Sequence, residues 1–458
     1  MIVIEANEIP LEVFVNERLT PPGLLQHYVQ TNKVRQTILD DVDEAFLYPS
    51  QAWASISTAL PTSEHRIKWY NDAKPHHPFY WRKAVDADKS VMVVNVLHTG
   101  SINEDEAKKY SFLFPDFFTL TPPVSNSRYL PLQQFNNAMS VSNGRQSSLK
   151  TIAISAIKAF VKRPSFRYWG LSVRDTQKWL KLFMICLKNK EAVRNAQFIL
   201  QQRVFLEELK AQSGKDLSVL FTNHVASMLH RHFPNEITKQ ISGELGEQSI
   251  RFSMGLLSDF MGEIKLRFPE RELVLITAIG QKANLKLDDD YMDANKFDYK
   301  LVDVEKLLNF VLGKKVPFNF LPEMVPQYSV SFDNPDLQKE FVQRLKEIGS
   351  DPNSMRHGYY VPSGIKSNNT HGFFAHVDEM ESHVTLTTTV RPNREGHIFI
   401  NGQKIDYREL GFREVAVKDF HSGEHSKYGV IMGDNIKFDK KPLHFKHVSR
   451  HLLSSLGL

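Results

Sequence analysis

Four short apolar runs constrain the fold of this chain more than any other feature: Met1-Ile-Val-Ile-Glu-Ala-Asn-Glu8, Ser90 to Val96, Asp216 to Phe221 and Glu272 to Ile279. Their apolar residues stand on consecutive positions, over lengths that suit strands buried on both faces better than helices. Stretches with helical periodicity follow, at about Asn223 to His232 and Ile237 to Phe268. Strands alternating with helices at this spacing predict an α/β fold, a mainly parallel sheet sandwiched by helices. In such sheets ligands bind beyond the carboxyl ends of the strands. Here those ends carry Asn7, Glu8, Asn223 and, nearby, Gln281.

A chain of 458 residues exceeds what one core ordinarily supports, so two or three lobes are expected. The pattern divides into residues 1–147, the first part of the α/β core, and 148–214, a basic helical insertion ending at Ser213-Gly214. Residues 215–285 continue the core, 286–415 form a smaller α+β lobe or lid, and 416–458 return to the core and the tail. No apolar run is long enough to cross a bilayer. Met1 leads straight into a strand, so no secretory signal is expected. The single cysteine, Cys186, excludes an internal disulfide and suits a reducing compartment, which makes a cytoplasmic protein the expectation. It sits in the apolar run Leu182 to Leu187, as a buried structural thiol would.

Basic residues are unevenly placed. From Lys150 to Lys190 there are ten Lys or Arg (150, 158, 162, 163, 167, 174, 178, 181, 188, 190) against one acid, Asp175, with Phe160, Phe166, Tyr168, Trp169, Trp179 and Phe183 interleaved. The simpler expectation is a solvated helical lobe whose apolar stripe packs onto the main domain. A peripheral contact with an anionic membrane face, or attraction of an anionic substrate, is the other. No nucleic-acid reader motif accompanies the charge, and no nucleic-acid partner is expected.

Tyr48-Pro-Ser-Gln-Ala-Trp-Ala-Ser-Ile-Ser-Thr-Ala-Leu-Pro-Thr-Ser-Glu-His-Arg-Ile67 reads as a strand end (Glu44 to Leu47), a polar elbow and a helix opening on Trp53. That arrangement sets the Ser50 hydroxyl beside the first free N–H groups of a helix, where an anion such as a phosphoryl group is favoured. Ser50 as a plain helix N-cap is the alternative.

This segment resembles the nucleophile segment of the alkaline phosphatase superfamily, especially its type I phosphodiesterase/nucleotide pyrophosphatase branch. His65-Arg66-Ile67 matches a His-Gly-Ile-like turn with the Gly missing. Four further segments resemble the same family in the same order: Met1 to Glu8, Ser218 to Pro234, Glu272 to Gln281 and Phe420 to Met432. The resemblance implies an alkaline phosphatase-like fold, a Ser50 nucleophile, His425 as a retained metal ligand, and His425 or His224 as proton carriers. Ser55 is the other match for the nucleophile, but it lies inside the helix.

The family's other metal ligands are replaced here by Asn7, Asn223, Ser227, Ala278 and Ile279. A full two-metal site is therefore not expected. One divalent cation (Zn, Mn or Mg) held by Glu5, Glu8 and His425 is, with His224 nearby. Asn7, Gln51, Asn223 and Gln281 suit hydrogen bonding to a sugar or nucleotide. His371, His376, His383 and His397 are expected at the surface, without the tight spacing of a metal site. Three functional readings stay open. The first is a phosphodiesterase- or phosphatase-like hydrolase or phosphoryl-transfer enzyme acting on a phosphorylated sugar, nucleotide-sugar or surface-glycan intermediate. The second is an inactive relative that binds a glycan or protein partner. The third is a metal-independent transferase of surface polysaccharide biosynthesis.

Overall fold

A computed structural model describes residues 1–44, 47–119, 124–141, 173–211, 214–234, 243–283, 297–323, 327–350, 374–388, 398–400, 403–416 and 422–458. The main sheet and the ribbon beside it use β1 (Ile2–Ala6), β2 (Val34–Ile38), β3 (Val91–Val94), β4 (Phe112–Phe114), β5 (Leu217–Thr222), β6 (Leu273–Thr277), β7 (Gly280–Ala283), β8 (Gly423–Ser426), β9 (Tyr428–Gly433) and β10 (Leu443–His444). Eight of these form one sheet in the order β10-β2-β9-β6-β1-β5-β3-β4. β1 lies in its interior and runs parallel to β5 and β6. β9 runs antiparallel to β2 and β6, and the other pairs are parallel. The fold is the expected mainly parallel α/β sheet.

Both faces of this sheet are apolar, which is why its strands read as continuous runs. Ile2 and Ile4 of β1, Met92 and Val94 of β3, and Leu273 and Leu275 of β6 enter one core. Their odd-even partners, Val3, Val91, Val93, Val274 and Ile276, enter the other. The first core lies under α1 (Leu24–Gln30) and four helices later in the chain; the second lies under α2 (Pro49–Thr58) and α3 (Tyr80–Asp86). Further along the chain come α4 (Val173–Cys186), α5 (Asn195–Ala211), α6 (His224–His232) and α7 (Gly243–Arg267). A smaller α+β lobe has its own core, built on α8 (Val304–Leu312), α9 (Pro335–Lys346) and the strands Gln327–Ser331, Phe374–Glu379 and Val384–Thr388. The C-terminal helix α10 (Lys446–Ser455) returns to the second core.

Several local expectations need correction. No strand ends at Leu47. Its N–H closes a turn on Glu44, and the strand in this region is β2. Helix α2 opens at Pro49 rather than Trp53, because proline's fixed φ suits the first helical position. Its N-cap is Tyr48, so Ser50 is not the cap. His383 is buried, 3.2 Å from Asp72, rather than at the surface. His371, His397 and His421 lie outside the described residues, as do 150–172 of the basic segment. Within α4 the expected packing holds on one side, where Leu182, Trp179, Ile185 and Cys186 meet the first core, but Leu180, Phe183 and Met184 face outward on another. Cys186 is half-buried.

Candidate active site

The site forms where β1 ends. Asn7 still follows the strand, its N–H donating to the Thr222 carbonyl at 2.9 Å. Glu8 then turns into the left-handed region, φ 54, which few non-glycine residues occupy. Such strain persists where surrounding contacts fix it, and here they do. Asn7 Nδ2 donates to Glu8 Oε1 at 2.6 Å and Gln281 Nε2 to Glu8 Oε2 at 2.8 Å. Asn7 is itself held: Trp53 Nε1 donates to its Oδ1 at 2.8 Å, and its Nδ2 reaches Asn223 Oδ1 at 2.9 Å.

Two imidazoles converge on the same carboxylate oxygen. His230 Nε2 lies 2.8 Å and His425 Nε2 3.3 Å from Glu8 Oε2. His230 comes from the last turn of α6. His425 comes from β8, whose antiparallel register with β7 sets it opposite Gln281. Gly423 permits that close pairing, because a Cβ there would meet Gln281 Oε1 at 2.4 Å and the Leu229 carbonyl at 2.9 Å.

The tautomers follow from the far side of each ring. His425 Nδ1 stands 2.7 Å from the Leu47 carbonyl and His230 Nδ1 3.1 Å from the Gly423 carbonyl. A carbonyl accepts, so each Nδ1 carries a proton and each Nε2 is directed at Glu8. This is how metal-binding histidines are commonly oriented, with the second ring nitrogen tied down. Glu8 is 1% exposed while each histidine is 23% exposed, so the carboxylate lies deeper than the rings.

Charge is stored here. Burial opposes ionisation of Glu8, but the adjacent His425 and His230 outweigh it and hold its carboxyl well below the usual range. Burial likewise opposes a charge on His425, yet Glu8 wins and raises it. One carboxylate and two imidazoles, all ligand atoms within 4.8 Å of one another, form a donor set for a divalent cation. Tetrahedral bonds of 2.0–2.1 Å would set ligand atoms about 3.4 Å apart, close to the His425–Glu8 spacing. The buried His425 Nε2 also lacks a hydrogen-bond partner.

The remaining candidates are placed elsewhere or do different work. Glu5 shares a face with Val3, so the pleat carries it to the opposite core, where Tyr80 donates to it at 2.9 Å. Burial pushes its carboxyl up to about 8, and a neutral buried acid there is no cation ligand. His224 is buried in the core. Its ring stacks on Phe198 at 3.8 Å, and its nitrogens meet Thr222 Oγ1 at 2.7 Å and the Ser253 carbonyl at 3.1 Å. Both nitrogens are used, burial lowers its pKa to about 3, and it cannot relay protons in the cluster.

Asn7 and Gln281 spend their amide donors on Glu8 rather than on a sugar. Asn223 closes the same chain of hydrogen bonds. Ser227 is half-buried and outside the cluster, while Ala278 and Ile279 are core residues. Gln51 is buried in the first turn of α2, and its Oε1 has no hydrogen-bond partner. Ser50 is buried in that turn too, but its hydroxyl donates to the Lys68 carbonyl at 2.5 Å. Ser55 meets His65 Nε2 at 2.9 Å inside the fold.

His230 is the member absent from the residues assigned by sequence. Its signal was helical spacing, three residues after Ser227 and seven after Asn223.

No protein-family model matches the chain, and no curated protein matches it. Among solved structures it is similar to the phosphonoacetate hydrolase of Sinorhizobium meliloti 1021, in complex with phosphonoformate. That match is 14% identical with TM-score 0.41, covering 99% of this chain and 95% of the other. Murine ectonucleotide pyrophosphatase/phosphodiesterase 5 is 9% identical with TM-score 0.39, covering 100% and 95%. Wild-type alkaline phosphatase PafA is 15% identical with TM-score 0.41, covering 100% and 95%. At such identities and TM-scores, the chemistry of this site rests on its own residues.

Proposed function

We propose that the chain is a hydrolase of phosphoric esters whose site holds one divalent cation on Glu8, His230 and His425. The carrying observation is the convergence of two Nε2 atoms on one buried carboxylate oxygen, with both Nδ1 protons fixed on backbone carbonyls. A cation bound there supplies Lewis-acid polarisation of a phosphoryl oxygen and a lowered pKa for a bound water. The protein's own part is positioning: Asn7 and Gln281 aim Glu8, and Trp53 and Asn223 fix Asn7. The His425 contact with Leu47 and the Trp53 contact with Asn7 hold the opening turn of α2 beside the cluster. Helix N-terminal N–H groups favour a phosphoryl anion.

Ser50 takes no covalent role in this reading. Its proton is shared with a peptide carbonyl rather than with a base that could activate it. The resemblance of the five sequence segments favours phosphoryl chemistry, and a phosphorylated sugar, nucleotide-sugar or surface-glycan intermediate is the proposed substrate class.

The test is cation content of the purified protein together with hydrolysis of a generic aryl phosphodiester before and after chelation. Stoichiometric cation and turnover that chelation removes are expected. Cation binding without turnover would leave a cation-dependent binding protein; neither would refute the site.

A further inference from the structure

Helix α4 carries apolar residues on two sides. One side packs Leu182, Trp179, Ile185 and Cys186 on the first core and also buries Asp175 and Lys178, 0% and 6% exposed. Opposite them, Leu180, Phe183 and Met184 are 63%, 59% and 55% exposed, and Leu187, one residue past the helix, is 64% exposed. The spacing i, i+3, i+4, i+7 makes these four one continuous stripe. Contiguous exposed apolar residues of this kind mark interaction surfaces.

The orientation is fixed by chemistry on the buried side. Arg203 of α5 lies 3.0 Å from Asp175 through Nε and pairs with Glu263 of α7 through both terminal nitrogens, at 3.1 and 2.7 Å. Lys178 Nζ donates to Gln202 at 3.3 Å. Rotating α4 to bury this outer stripe would expose Leu182 and Trp179 and break a buried ion-pair network, whose unpaired charges are costly. The stripe is therefore held outward.

Its surroundings are basic. Lys181, Lys188 and Lys190 are exposed beside it, and Asp175 is the one acid of the helix, turned inward. An apolar stripe with a lysine border matches a surface that offers acyl chains below and negative charge above.

We propose that α4 docks the protein on an anionic lipid bilayer, with Leu180, Phe183, Met184 and Leu187 entering the headgroup–acyl boundary and Lys181 and Lys188 facing the anionic headgroups. The same region is tied to the candidate site. Asn189 meets His232 at 3.0 Å and Glu191 pairs with Arg231 at 3.2 Å, both on α6, the helix that carries His230. Docking would thus present the cation cluster's own helix close to a membrane surface.

The test is co-sedimentation of the full chain with phosphatidylcholine vesicles, with and without phosphatidylglycerol, at low and high salt. Binding is expected to the anionic vesicles and to weaken with salt. Phe183→Ser combined with Leu187→Ser, and separately Lys181→Glu with Lys188→Glu, should each weaken binding about tenfold or more. Because all four side chains are exposed, thermal melts of both variants should match the parent. No binding to anionic vesicles, equal binding to neutral ones, or retention by the serine variant would each overturn the proposal. So would a parent oligomer in light scattering that the serine variant dissolves, with no vesicle binding, since the stripe would then join two copies.

Discussion

Glu8 is the residue on which the site turns, because it alone touches Asn7, Gln281, His230 and His425 among the described contacts. Replacing it with Gln keeps the shape but removes the charge that two imidazoles face. Titration calorimetry with Zn or Mn should show affinity lower by on the order of 100-fold or more, while Gln281→Leu, one shell out, should cost about 10- to 100-fold. Equal affinity in Glu8→Gln would place the cation elsewhere. Ser50 makes the opposite prediction. Ser50→Ala should leave phosphodiester turnover within a few-fold and lower stability by about 1 kcal/mol, through the lost bond to the Lys68 carbonyl. Abolished turnover in a folded Ser50→Ala protein would restore Ser50 as nucleophile.

Elements explain why these residues meet. Helix α2 is not a free-standing anion hook. Trp53 ties it to β1 through Asn7, and the turn after it is closed by His65, whose Nδ1 accepts from the Ile67 N–H at 2.9 Å. That turn keeps the left-handed conformation at Arg66, φ 56, the position that the resembled family fills with glycine. Arg66 is exposed, and among the described residues its side chain makes no hydrogen bond or ion pair that would offset the strain. Arg66→Gly should therefore raise stability by about 0.5–1 kcal/mol, read as a higher urea midpoint with unchanged slope. A lower midpoint would mean that the glycine's unfolded-state entropy outweighs the relief.

At the scale of the whole molecule, buried ionisable groups set the pH of greatest stability. Burial pushes Glu5 and Glu323 up to about 8, and it lowers His65 and His224 to about 3 and His98 and His232 to about 4. Each carboxyl keeps in the folded state a proton that the unfolded chain releases above 4.5, so its contribution is lost as pH rises toward 8. Each histidine stays neutral when folded, so stability is lost as pH falls below 6.5 toward those lowered values. His425, raised by Glu8, adds to the loss above 6.5, and the Met1 amino group, lowered by burial to about 6, partly offsets it. Unfolding in urea across pH should give a maximum near 6.5. Glu5→Gln should flatten the alkaline side by up to about 1.4 kcal/mol per pH unit. Stability still climbing between 6.5 and 8 would contradict the burial account of Glu5 and Glu323.

The sequence by itself determined the sheet. Runs apolar on every position can be satisfied only with cover on both faces, and polar residues at their ends must stand at the strand tips, as Asn7, Glu8 and Asn223 do. Helical spacing also held a signal for His230, seven residues after Asn223, although His230 was not among the residues assigned by sequence. Nothing local says which face of β1 carries the site, so Glu5 and Glu8 read as equals. Only the tertiary structure separated them, by burying Glu5 against Tyr80 and turning Glu8 out at a left-handed φ. It also decided that His224 packs on Phe198, that β7 pairs with β8 to bring His425 over Glu8, and that α4 faces one of its apolar sides outward. Each of these depends on long-range pairing and on ion pairs between distant helices. Their energies belong to contacts that no window of neighbouring residues contains.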